Sequence, residues 1–174
     1  MLVVDVQTLL VESKPYRVDS VVADIGRLIG QCRSQGVEVV YVRHDAGEGS
    51  DLAMGSDGWQ IYDAVSPGAG EKIVEKRFTS SFLHTGLKEY LKGKGVETII
   101  LTGMQTEYCI DATCKAAFEH GFQLIIPEET HTTFDNEYLP AERLHHYYTH
   151  KMWNKRFAEV LPLSDLEQRL QAKA

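Results

Sequence analysis

The chain has 174 residues, 43% hydrophobic and 25% charged, with 18 Lys+Arg against 25 Asp+Glu and a formal net charge of −7. That is one domain's length with apolar material for a sizeable core, which argues against a disordered or disulfide-stapled chain; the acidic balance without a basic run argues against binding nucleic acid or an anionic membrane. No apolar stretch approaches the ~20 residues of a membrane span, Asp5 breaks the first apolar run too early for a signal peptide, and an odd number of cysteines, three, fits a reducing, cytoplasmic setting.

Residues 1–4 are an apolar run ended by Asp5 and predict a buried strand. Val21, Ile25, Leu28, Ile29 and Cys32 recur at helical spacing and predict a helix over 20–35, capped by Asp19 and left at Gly36. A strand over 37–42 leads into Arg43 and His44. Residues 45–70 are rich in Gly, Ser and Asp, and a connection that long predicts a functional loop; Trp59 and Tyr62 lie in it. A short strand over 72–75 ends at Lys76, and a helix over 85–92 has Thr85 as its cap. A strand over 97–102 ends at Gly103, a helix covers 106–120, and a strand over 122–126 is closed by Pro127. A helix over 140–152 and an edge strand over 157–161 complete the order. Strands alternating with helices, several of them continuous apolar runs, predict a doubly wound three-layer α/β/α domain on a mostly parallel sheet. Neither a G-x-G-x-x-G fingerprint after the first strand nor a Walker loop is present, which disfavours a dinucleotide dehydrogenase and a P-loop hydrolase.

Cys32 and Cys114 fall on apolar helical stripes and are expected to be small buried hydrophobes. Cys109 lies off the stripe, about one turn into its helix. The unpaired N–H groups and positive end of a helix there would pull a thiol below its usual ~8.5 toward thiolate. In an open α/β sheet, ligands bind beyond the carboxyl ends of the strands. Asp5, His44, Lys76 and the 105–109 turn hold those ends. Lys76 can pair with Asp5 and hold Cys109 as thiolate, and Asp5 can carry the thiol proton to a leaving amine. Spacing alone leaves two plainer alternatives open: a structural Asp5–Lys76 ion pair, and a third buried cysteine.

With those residues in place, the chain resembles the isochorismatase-like cysteine hydrolase family. The matching stretches are VVDVQ at 3–7, VEVVYVRH at 37–44, EKRFTSSF at 75–82 and LTGMQTEYCIDAT at 101–113, with a looser match at 121–133. The resemblance implies Cys109 as nucleophile, Asp5 as general base and acid, and Lys76 as their electrostatic partner. It also implies an oxyanion hole from the backbone N–H groups of Gln105 and Cys109, and a cis peptide between Met104 and Gln105. Gln7, His44, Trp59, Phe82 and Tyr108 are expected to line the substrate pocket. The metal-binding Asp-x-His-x-His of some relatives is absent, since the chain reads His44-Asp45-Ala46-Gly47, so neither a metal nor another cofactor is expected. The phenylalanine that usually follows Asp-x-Gln is also absent; Thr8-Leu9-Leu10-Val11 stands there.

The expected function is cysteine-dependent hydrolysis of a small-molecule amide, carbamoyl or ureido C–N bond through a thioester, by a homo-oligomer (dimer or tetramer) with a small-molecule substrate. The alternatives are a vinyl-ether hydrolase without covalent catalysis, a silent binding protein of the same fold, and a phospho-acceptor receiver domain. His146 and His150, four apart, are expected on a solvated face, as are His84, His120 and His145. The aromatic cluster at Tyr147, Tyr148, Met152 and Trp153 suits core packing or a subunit interface.

Overall fold

The computed structural model describes residues 1–172. Its elements are β1 (Leu2–Val4), α1 (Thr8–Glu12), α2 (Val18–Ser34), β2 (Val40–His44), β3 (Lys72–Lys76), α3 (Leu87–Gly93), β4 (Thr98–Met104), α4 (Asp111–Glu119), β5 (Gln123–Pro127), β6 (His131–Thr132), α5 (Ala141–Tyr147), β7 (Glu159–Leu161) and α6 (Leu163–Gln171). The seven strands form one sheet in the order β3-β2-β1-β4-β5-β7, with β6 paired to β4, and every ladder is parallel.

Side-chain alternation along the strands divides the core into two layers. Val3, Tyr41 and Met104 pack with the α2 stripe (Val21, Ile25, Leu28, Ile29) and with Leu163, Leu166 and Leu170 of α6. Leu2, Val4, Val40, Val42 and Leu101 pack on the other face with Leu87 and Leu91 of α3 and Ile110, Cys114 and Ala117 near α4. The predicted three-layer, doubly wound α/β arrangement is therefore present.

Local differences have physical causes. The second strand begins at Val40, not at residue 37, because Val37 closes the end of α2 by bonding to Cys32 O (2.8 Å). Asp19 lies inside the first turn of α2 and pairs with Lys14 at 3.2 Å instead of capping. Thr85 does accept the Leu87 N–H (3.3 Å) at the start of α3. The helix expected over 106–120 opens with a wide π-helical turn, Thr106–Ile110, and a second such segment, Tyr148–Trp153, follows α5. Among the described residues, no helix is long and apolar enough to cross a membrane.

β2 and β3 lie to one side of β1, and β4, β5 and β7 to the other. The strand order thus reverses between β1 and β4. The crevice beyond the carboxyl ends of those two strands is where such sheets hold ligands.

Candidate active site

Four strand ends meet at that crevice. Asp5 follows β1 directly in a left-handed backbone conformation (φ 53°), with its N–H bonded to Val42 O at 2.9 Å. Aspartate tolerates this region better than most residues, and strain of that kind gathers at functional sites. His44 and Lys76 end β2 and β3 and pair in register. β4 ends at Met104, whose peptide bond to Gln105 is cis. Gly103 is required just before it: its φ is +123°, and a Cβ there would stand 1.9 Å from Val4 O. That contact lets β4 close against β1 and brings the 105–109 turn over Asp5.

Lys76 Nζ lies at the centre. It is 2.7 Å from Asp5 Oδ2, 3.1 Å from Cys109 Sγ, 3.1 Å from Phe78 O and 3.4 Å from His44 Nδ1. The Lys76 and Asp5 side chains are almost wholly removed from solvent, at 0% and 2% exposure. Burial would lower the Lys76 ammonium, but Asp5 and Cys109 outweigh it and hold the group above its ordinary value. Burial raises Asp5 above the usual carboxylate range, against the pull of Lys76. Asp5 Oδ2 faces the Lys76 ammonium and, among the described residues, Oδ1 has no hydrogen-bond partner, so the carboxylate keeps lone pairs for a proton.

The thiol differs from its sequence-based expectation. Burial, reinforced by Asp5 and only partly offset by Lys76, pushes Cys109 up to about 12. The resting group is therefore a thiol, because desolvation and a facing carboxylate both penalise the anion. Burial and then Lys76 lower His44, which keeps its imidazole neutral.

A cavity of about 240 Å³ opens beside these groups. Asp5, Cys109, Gln105, His44 and Tyr108 line it, together with Leu10, Leu52, Thr79 and Met104. Leu10, from the Thr8–Val11 stretch that follows Gln7, supplies one wall. Among the described residues, the Gln105 N–H, which belongs to no helix or strand, finds no backbone hydrogen-bond acceptor. Several larger depressions exist, and those of about 540 and 700 Å³ lie along β5 and β7 and against α5, away from the buried ion pair.

Three expected pocket residues are not brought to the cavity. Gln7 is fully buried and ties the loop to the sheet: its amide bonds His44 O (3.0 Å) and Trp59 O (2.9 Å), and its carbonyl accepts the His44 N–H (2.8 Å). Trp59 is buried under Arg43, whose guanidinium carbon stands 3.3 Å from the ring centroid and which also bonds Glu75. Phe82 packs into the core against Phe122 and His120, with centroids 5.9 and 5.3 Å away. Place along the chain does not tell which way a side chain turns.

Asp45, beside the stretch that holds metal in some relatives, is committed to the N–H groups of Gly47 (3.0 Å) and Met54 (3.1 Å) and to Arg77 (2.8 Å). Those bonds hold it below the usual carboxylate range. Among the described residues, no three His, Cys, Asp or Glu side chains converge as metal ligands, and this donor set does not fit a metal.

One buried cluster escaped the sequence. His131 on β6 is fully buried, bonds Thr106 Oγ1 at 2.9 Å through Nδ1 and Thr149 Oγ1 at 3.1 Å through Nε2, and stacks on His145 at 4.2 Å. It sits directly behind the turn that carries Cys109. His145 is accordingly half-buried, not on the surface as expected. No periodic pattern marks a two-residue strand, so the sequence held little signal for it.

The family model of the Isochorismatase domain matches residues 1–165. A streptothricin hydrolase of Streptomyces noursei is 34% identical over 143 residues, covering 81% of this chain and 51% of that protein. An N-carbamoylsarcosine amidase of an Arthrobacter species is 30% identical over 131 residues, 65% of this chain and 50% of that one. The chain therefore spans about half the length of these relatives. The crystal structure of a cysteine hydrolase from Pseudomonas syringae superposes with a TM-score of 0.93, at 23% identity, over 99% of this chain and 92% of that one, and so shares the fold. A match over nearly the whole sequence, on this parallel sheet, has one reading: the chain belongs to the isochorismatase family.

Proposed function

We propose that this protein hydrolyses a small-molecule amide, carbamoyl or ureido C–N bond with Cys109 as nucleophile. The observation that carries the reading is the buried Lys76 ammonium, in contact with both the Asp5 carboxylate and the Cys109 sulfur, which themselves line a cavity. Relatives named as a hydrolase and an amidase support the reaction class.

The chemistry follows from the charges. As substrate enters and water leaves, Asp5 takes the thiol proton and the sulfur attacks the carbonyl carbon. The Lys76 ammonium stabilises the thiolate as it forms. Negative charge passes to the carbonyl oxygen, for which the backbone N–H groups of Gln105 and Cys109 are the donors. The C–N bond breaks as Asp5 returns its proton to the nitrogen, leaving a thioester. Water, deprotonated by Asp5, attacks that thioester, and the proton returns to sulfur as the acid departs.

Ammonia release from a panel of primary amides, carbamoyl amino acids and ureido acids tests this. Cys109→Ala is expected to lower turnover by about 10³-fold or more. Hydrolysis that survives the substitution would favour Asp5 acting without a covalent step, as in vinyl-ether cleavage.

The Leu52 wall makes the 45–70 segment part of the substrate pocket in this reading. Three free cysteines, two of them fully buried, support a reducing, cytoplasmic setting. The exposed side chains of Met54, Phe78, Leu83 and Tyr108 support a homo-oligomer, which sedimentation at a multiple of 19.6 kDa would establish.

A further inference from the structure

We infer that the acyl group accepted at Cys109 is small and apolar and carries no carboxylate, because the cavity is walled by Leu10, Leu52, Met104 and Tyr108 and, among the described residues, offers no unpaired cation. This names the substrate class of the proposed site, and it rests on Cys109 being the nucleophile.

Size is the first argument. The cavity of about 240 Å³ lies below the ~300–1,000 Å³ that holds drug-sized ligands. Four of its nine lining residues are the large apolar and aromatic side chains named above, drawn from α1, the 45–70 segment, the end of β4 and the nucleophile turn.

Charge is the second. An ammonium has three N–H donors. Those of Lys76 face Asp5, Cys109 and Phe78 O at 2.7, 3.1 and 3.1 Å, which leaves none for a substrate carboxylate. The two arginines nearest in sequence are also committed. Arg43 bonds Glu75 and lies over Trp59, and Arg77 bonds Asp45 at the edge of a neighbouring cavity. His44 is held neutral by its burial and by Lys76. Among the described residues, the remaining polar lining is the Thr79 and Tyr108 hydroxyls and the Gln105 group, all of them uncharged. A carboxylate on the acyl chain would lose its water, gain no counter-ion and face the Asp5 carboxylate, which is costly for any buried charge.

Iodoacetamide and iodoacetate are nearly isosteric, one neutral and one anionic, and each reports on this seat without turnover. The full-length protein is treated with each reagent at matched pH and ionic strength, and modified cysteines are located by peptide mass. The amide-to-acetate rate ratio at Cys109 is compared with that of 2-mercaptoethanol. The expected ratio exceeds the reference by about tenfold or more, which is about 1.4 kcal/mol. A ratio at or below the reference overturns the inference and leaves the nucleophile intact. No modification of native Cys109 by either reagent overturns the nucleophile reading and this one with it. Leu10→Arg places a cation in the wall and is expected to bring the ratio down toward the reference. An unchanged ratio in the folded variant would show that the reagents do not sit in this cavity, and would likewise overturn the inference.

Discussion

Asp5 and Lys76 can be separated as a structural pair and as a chemical one. Asp5→Asn leaves the Lys76 ammonium buried without its counter-charge, and unfolding in urea is expected to show a loss of about 3–5 kcal/mol. Asp5→Leu combined with Lys76→Met removes both charges. Most of that stability should return while hydrolysis stays absent; recovery of activity would end the proposed role of Asp5. The pH dependence has a definite sign. Asp5 acts as a base only when ionised, and burial raises it, so kcat/KM should climb with pH along an acid limb centred above the ordinary ~3.9 of aspartate. Cys109 behaves in the opposite way from a simple helix-end thiol. With the resting group pushed up to about 12, its alkylation rate should keep rising beyond pH 8.5 rather than level off below it. The position of Cys109 was legible in the sequence. Its protonation was not, because desolvation and the facing Asp5 come from residues about a hundred positions apart.

At the scale of elements, β6 and α5 carry a pH-sensitive stack behind the nucleophile turn. Burial, with His145 adding to it, holds His131 well below its ordinary value, and burial pushes His145 down to about 4. Between pH 6.5 and those lowered values the unfolded chain binds protons that the folded chain refuses. Stability is therefore full above pH 6.5 and is lost as pH falls, by about 1.4 kcal/mol per pH unit for each histidine. Urea midpoints measured from pH 7.5 to 5 should show this slope in the native protein and a shallower one in His131→Asn. Equal slopes would mean that His131 takes up its proton while folded. The long helices and apolar strands that frame this cluster could be read from periodicity. α1, with five residues, and β6, with two, could not, since neither is long enough to repeat a pattern. The α6 stripe of Leu163, Leu166 and Leu170 carries a helical pattern, yet the elements expected from sequence end at residue 161 and omit it; it covers the sheet face shared with α2.

Across the whole molecule, the site exists because β1 and β4 lie side by side at the point where strand order reverses. Gly103 guards that contact. Gly103→Ala would drive a Cβ to 1.9 Å from Val4 O in a backbone region unsuited to alanine, and is expected to cost about 3 kcal/mol or more in urea unfolding. A loss below about 1 kcal/mol would mean that the two strands can part without harm. By itself the sequence determined the alternation of strands and helices, hence the layered parallel sheet, the strand ends at which Asp5 and Lys76 stand, and the strand-to-helix turn that carries Cys109. These rest on local periodicity and on charges that interrupt apolar runs, both visible along one dimension. Only the tertiary structure decided that Gln7 ties a loop, that Phe82 enters the core, that Leu10 and Leu52 wall the cavity, and that Cys109 rests as a thiol. Side-chain direction, burial and the field of distant charges depend on which segments become neighbours, and that is settled by packing in three dimensions.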